Sequence, residues 1–162
     1  MKMLFKQIRI GKNGIPFVLY KIRSINKNSS TPNAWGRLLR KSKIDELPQL
    51  YNIIKGDMAF VGPRPDIPGY ADQLTGEDRM ILTIKPGITG LASLKYRNEE
   101  KELSLQQNPK LYNDQIIWPD KVRINKWYVL NKNWKMDMKI IFHTIIPMAF
   151  DVDEYIKRKS ND

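Results

Sequence analysis

No cysteine occurs anywhere in the chain, which removes disulfide bridges and thiolate metal sites and fits a reducing compartment. A single histidine, His143, excludes a histidine-rich metal centre. No apolar run approaches the roughly 18 to 20 residues that span a bilayer. No signal peptide leads the chain either: the opening MKMLFKQIRI alternates polar and apolar side chains as a strand does. Repeats and low-complexity blocks are also missing, and no shift in composition marks a second domain.

What is present is a domain-sized chain of 162 residues, long enough to bury a core, with 41% hydrophobic and 28% charged residues. Its 28 Lys and Arg outnumber 17 Asp and Glu, for a formal net charge of +11. Such a surface attracts polyanions. Nucleic acid, an anionic membrane face and phosphorylated substrates all qualify. The basic residues are spread along the chain rather than massed in an arm, which disfavours a nucleic-acid tail.

The pattern predicts a β-hairpin over 5–24, turned at GKNG, then a polar loop at 26–33 and a short helix over 34–41 carrying Arg37 and Arg40. In KIDELPQL, Pro48 is tolerated only in a first helical turn, so a helix is expected to begin near Asp45. Leu47, Leu50 and Ile54 fit its spacing, and Gly56 ends it. A short strand and a proline-rigid loop follow over 57–69, then helix over 70–84. Residues 85–98 read as a turn and extended chain. Helical pieces at 99–107 and 111–118 are broken by Asn108-Pro109, a helix starts at Pro119, and a stripe of Trp134, Met138, Ile141 and Ile145 marks another. The final KRKSND reads as a frayed end. The expectation is a compact, mostly helical α+β single domain over 1–162. Its parts are the hairpin (1–24), a core (34–150) and a tail (151–162).

Asp45 and Glu46 admit two readings. Asp is a favoured N-cap and Glu suits the first turn of a helix. Equally, a carboxylate can attack phosphorus while its neighbour holds Mg²⁺ on the same phosphates. The second reading needs cations, and Arg40, Lys21, Arg23 and Arg64 supply them. Arg64 is fixed between Pro63 and Pro65, so it loses little freedom on gripping an anion. The glycines of PGITG permit a turn or a close approach to a ligand. Asp137 reads as a helix-surface ion-pair partner, and Thr89 and Arg97 are secondary candidates. From the residues alone both readings of the acidic pair stay open.

Taken in order, FKQIRIGKNG, GRLLRKSKIDELPQLYNIIKGDMAFVGPRP, KPGITGLASL and WYVLNKNWKMDMKIIFHTI resemble the bacterial sugar transferases, the monotopic phosphoglycosyl transferase superfamily. The resemblance runs from residue 5 to about 146. It implies transfer of a phospho-sugar from a UDP-sugar to polyprenyl phosphate, with release of UMP, at the cytoplasmic face of the bacterial inner membrane. It implies ping-pong chemistry with Asp45 as covalent nucleophile and Glu46 as the Mg²⁺-binding partner. Arg40 and Arg64 match basic positions around the phosphates, and Asp137 matches an acidic one. Members of the family carry a hydrophobic re-entrant helix before the FKQ segment, and this sequence starts at Met1 without one. Weak attachment to an anionic membrane surface is therefore expected, through charge and through aromatic residues on the helices from Pro119 to Phe150. Many members have Asp where this chain has Asn125. The alternatives are a non-enzymatic basic module for membrane or nucleic acid, or an inactive remnant without its anchor; no nucleic-acid partner is expected.

Overall fold

The computed structural model describes residues 4–24, 34–146 and 148–161. The polar loop expected at 26–33 lies outside them. Strands β1 (Leu4–Ile10) and β2 (Pro16–Ile22) pair antiparallel, Leu4 opposite Ile22 and Ile10 opposite Pro16, as the alternation predicts. The hairpin is the reverse of an apolar-in, polar-out ribbon along β1. Ile8 is 56% exposed, and the opposite face carries Phe5, Gln7, Arg9 and Lys21 into a cavity. That inversion marks the hairpin as one wall of a charged site.

Helix α1 (Ala34–Lys41) buries Leu39, and α2 (Gln49–Lys55) ends at Gly56 in the left-handed region, φ 91°. Asp45 and Glu46 are not on the first turn of α2. They sit on a separate 3₁₀ turn, Ile44–Glu46, entered through Lys43 at φ 58°. The helix-dipole contribution expected for them gives way to side-chain charges. The apolar stripe Leu47, Leu50, Ile54 fits helical spacing yet faces outward, Ile54 at 85% exposure. The buried face of α2 is polar: Asn52 donates from Nδ2 to Val18 O at 2.8 Å and accepts from Tyr20 N at 3.3 Å. These hydrogen bonds, with Ile53 packed on the cluster that holds Phe17 and Leu19, fasten α2 to β2.

Strands β3 (Ala59–Val61) and β4 (Gly87–Thr89) form a short parallel pair, so the PGITG segment is a strand where a turn was expected. Its glycines approach backbone and not a ligand. A Cβ on Gly87 would stand 2.2 Å from Gly62 N, and one on Gly90 2.3 Å from Gly62 O. From Leu91 the chain is helical (α3, Leu91–Lys95) where extended chain was expected. Residues 70–84 are two 3₁₀ stretches, Ala71–Gln73 and Gly76–Thr83, instead of one α-helix. Extended Thr75 and Gly76 at φ 57° interrupt the turn. Helix α4 (Glu99–Ser104) is separated from α5 (Pro109–Tyr112) by the expected Asn-Pro break, with Asn108 capping Leu111 N at 3.1 Å. Helix α6 (Trp118–Asn131) starts within a residue of Pro119, as expected, and a π-helical turn, Asn113–Ile117, joins it to α5 without a break.

Helix α7 (Trp134–Ile145) is capped by Asn133, and α8 (Val152–Asn161) replaces the expected frayed end. Two α8 side chains, Val152 and Ile156, belong to the main core with Val61, Leu91, Ala92, Ile124, Tyr128, Met136 and Ile140. Outside, Asp153 bonds Lys95 and Arg123 at 2.6 and 2.5 Å. A mostly helical α+β architecture results, with two small two-stranded sheets in place of one. Because α8 closes the core, Ile156→Ala is expected to cost about 2–4 kcal/mol in urea denaturation. A frayed segment would lose nothing.

Candidate active site

The hairpin, the Ile44–Glu46 turn, the loop after β3, and helices α3, α4 and α6 enclose a cavity of about 1160 Å³. It stands at the upper end of small-molecule sites. Its lining includes Lys21, Arg23, Arg40, Asp45, Glu46, Arg64, Thr89 and Arg97, so eight of the positions singled out in the sequence converge. Three do not. Pro63 and Pro65 are buried behind Arg64 and stiffen the loop from the far side. Asp137 accepts a 2.7 Å hydrogen bond from the buried Tyr128 hydroxyl, away from the cavity.

Within the acidic pair the two carboxyls have opposite surroundings. Glu46 Oε1 receives Arg64 Nη2 at 2.6 Å and Lys21 Nζ at 3.3 Å. Burial alone would raise its pKa; the Arg64 charge and hydrogen bond, with Lys21 and Lys43, outweigh burial and hold it at about 2. Asp45 is equally buried, but its Oδ1 has no hydrogen-bond partner. Burial, then the negative charge of Glu46, push its pKa up. One carboxylate is thus pinned and the other is free-handed and more basic, an arrangement that separates an anchor from a nucleophile.

The cations around the pair are held but not consumed. Arg40 Nε donates to Ser24 Oγ at 3.0 Å and its Nη1 meets Glu100 at 3.1 Å. The Arg23 guanidinium lies over the Phe5 ring, 5.7 Å from its centroid, with Nε unpartnered. Arg97 donates to the His143 carbonyl. Thr89 and Thr144 share a hydroxyl contact of 2.6 Å.

Four further charged groups were not found by sequence reasoning. Arg9 donates to Pro65 O at 3.1 Å, and its place on the cavity face follows from the strand period once the hairpin is paired with Lys21. Lys121 of α6, bonded to Glu99 of α4 at 2.7 Å, comes from a distant segment and carries no local signal. Asp66, directly after Arg64-Pro65, lies near Lys121, Arg9 and Arg64. Its burial outweighs their attraction and pushes its pKa up to about 6.

The profile of the family described as bacterial sugar transferase matches residues 1–151. The chain belongs to that family. An uncharacterized sugar transferase, EpsL, of Bacillus subtilis is 37% identical over 88% of this chain and 68% of its own length. The UDP-glucose:undecaprenyl-phosphate glucose-1-phosphate transferase of Caulobacter vibrioides is 32% identical, over 88% of this chain and 55% of its own. The undecaprenyl-phosphate galactose phosphotransferase of Salmonella typhimurium is 31% identical, over 84% and 31%. The chain therefore spans from just under a third to about two thirds of the length of these three relatives.

The Asp66 carboxyl, with a folded pKa near 6 against an ordinary 3.8, opposes folding once both states are ionised. Asp66→Asn is therefore expected to stabilise the protein by about 1–3 kcal/mol at pH 7.5. The gain should shrink as pH falls through 6 and vanish below about 4, where the native side chain is protonated in both states. Denaturant titrations at the three pH values measure it; an equal gain at all three would exclude burial of charge as the cause.

Proposed function

We propose that this chain transfers a phospho-sugar from a UDP-sugar to polyprenyl phosphate with release of UMP, opening the membrane stage of glycan assembly. The observation that carries the reading is the contrast inside the dyad: an unpartnered, more basic Asp45 beside a Glu46 locked by Arg64 and Lys21. Family membership and relatives named for transfer to undecaprenyl phosphate support it. In the first half-reaction an Asp45 oxygen attacks the sugar-bearing phosphorus. A new P–O bond forms to the carboxylate and the bond to the bridging oxygen breaks, so the electron pair leaves on UMP. In the second, a phosphate oxygen of the polyprenyl acceptor attacks the same phosphorus and expels the Asp45 carboxylate unchanged. Lys21, Arg40 and Arg64 lower the repulsion between a carboxylate and a doubly charged diphosphate, which would otherwise forbid the approach.

Mg²⁺ fits these donors. No group of three or more acidic or histidine side chains is gathered for a metal among the described residues. Mg²⁺ characteristically takes one or two carboxylates and completes its sphere with substrate phosphate and water. Glu46, whose Oε1 alone is engaged by Lys21 and Arg64, would hold it beside the open Asp45 Oδ1. Bound there, the ion would neutralise diphosphate charge.

Among the described residues no helix is long and apolar enough to cross a membrane. Contact with an anionic surface on the cytoplasmic side of the inner membrane is instead supported by exposed apolar side chains. Trp35, Leu38, Leu47, Tyr51 and Ile54 lie around the dyad turn, and Trp134, Met138 and Ile145 lie along α7. Basic residues close to such a surface contribute on the order of 1 kcal/mol each, screened within about a Debye length.

Two experiments test the reading. Incubation with UDP-sugars and Mg²⁺ should add one phospho-sugar to the intact mass of the chain. Asp45→Asn should abolish both adduct and turnover with the fold unchanged, and turnover at the parent rate would remove Asp45 from the mechanism. Separately, the chain should co-sediment with phosphatidylglycerol vesicles at low salt and come off at high salt. Failure to bind at low salt counts against the surface attachment.

A further inference from the structure

We propose that the uncharged wall of the cavity, formed by Thr89 of β4, Ser93 of α3, Asn125 of α6 and Thr144 of α7, is the subsite that reads the hydroxyl groups of the transferred sugar. The proposal rests on the nucleotide-sugar reading above. All four residues line the cavity. Their elements pack together through Leu91 and Ala92 of α3, Ile124 of α6 and Ile140 of α7, which belong to one core cluster. The four side chains are therefore carried on a shared and rigid base.

Their polar atoms are underused. Ser93 Oγ is buried with no hydrogen-bond partner. Asn125, only 6% exposed, also lines the cavity. A buried hydroxyl left without a partner is costly, and such groups normally find a protein or ligand partner. Thr89 and Thr144 bond each other at 2.6 Å, and Thr144 Oγ1 reaches Ile140 O at 2.8 Å. With the Thr144 proton directed at that carbonyl, the pair keeps acceptor lone pairs. Hydroxyls and amides both donate and accept, which suits the mixed hydroxyls of a hexose. The cations nearest this wall are occupied: Lys121, one turn before Asn125 on α6, by Glu99, and Arg97 by the His143 carbonyl.

Position decides between sugar and uracil. Arg64, which grips Glu46, also places Nη1 3.5 Å from the carbonyl of Ile88, the residue before Thr89. The uncharged wall thus begins one residue from the dyad's own arginine. The group attached to the attacked phosphorus is the sugar, and it must lie beside the dyad, with the nucleoside beyond the diphosphate. A site that pairs a substrate hydroxyl rejects an epimer lacking it in that position, because its own polar groups are then left unpaired. Ser93 and Asn125 would accordingly set which sugar is accepted.

The test is calorimetry on the full chain carrying Asp45→Asn, so that no sugar is transferred, with UDP, UDP-glucose, UDP-galactose and UDP-N-acetylglucosamine. Ser93→Ala and Asn125→Leu, introduced singly, should weaken binding of the preferred UDP-sugar about five- to tenfold and narrow the differences among the three. Affinity for UDP and the melting temperature should stay as in the parent. UDP thereby serves as the check that each variant is folded, and Ser93→Ala, which removes one oxygen, is the safer of the two. Equal losses for UDP and the UDP-sugars would assign the wall to the nucleotide and overturn the proposal. Unchanged affinity for every ligand in both variants would overturn it too. A parent that binds none of the four nucleotides would instead overturn the proposed function, and the subsite with it.

Discussion

The contact between Arg64 and Glu46, 2.6 Å long, ties the loop after β3 to the turn that carries the dyad. Arg64 belongs to the loop leaving β3, and Glu46 to the 3₁₀ turn ahead of α2. Lys21, on the hairpin, joins the same oxygen at 3.3 Å. Three segments therefore meet at one carboxylate oxygen that is almost out of water. Removing Glu46 would leave two cations facing each other in a partly desolvated place, a costly arrangement. The pinning of Glu46 also has a consequence next door. Burial, helped by that fixed negative charge, keeps Asp45 basic.

Behind that contact stands a backbone requirement. Arg64 can reach Glu46 only if β3 and the loop after it are seated on β4, and there the chains lie too close for side chains. At Gly62, Gly87 and Gly90 a Cβ would stand only 2.2 to 2.6 Å from backbone atoms of the neighbouring segment. The glycines noted in the sequence as a possible ligand cradle do their work one layer down, where they let the arginine loop sit.

Three local signals were read correctly. The hairpin came from the two-residue period, the end of α2 from Gly56, and the Asn108-Pro109 break from local turn chemistry. The acidic pair, Arg40 and Arg64 followed from the run of motifs and do share one cavity. Errors arose where tertiary structure overrode local signals. The stripe on α2 has helical spacing but faces out, because Asn52 supplies a buried polar anchor instead. The last helix reads as a charged tail, yet two apolar residues a turn apart, Val152 and Ile156, complete the core. Lys121 and Glu99 reach the cavity from segments with no local mark of a site, so only the fold could bring them there. Asp66 passed unnoticed because proximity to an arginine loop reads as ordinary charge pairing; its burial is a three-dimensional fact.

The place of α8 in the core bears on how the protein comes to exist as an enzyme. Val152 and Ile156 share one hydrophobic cluster with Val61 and Leu91, about ninety and sixty positions earlier in the chain. Such contacts of high sequence separation close late, since the intervening chain must be ordered before they reward it. During synthesis, β3, β4 and α3 emerge with one side of their packing still open. The seat of the Arg64 loop is then incomplete, and the Glu46 clamp with it. A nascent chain would carry the acidic pair without its clamp, so that the cavity is complete only when the helix that contributes no side chain to it has docked.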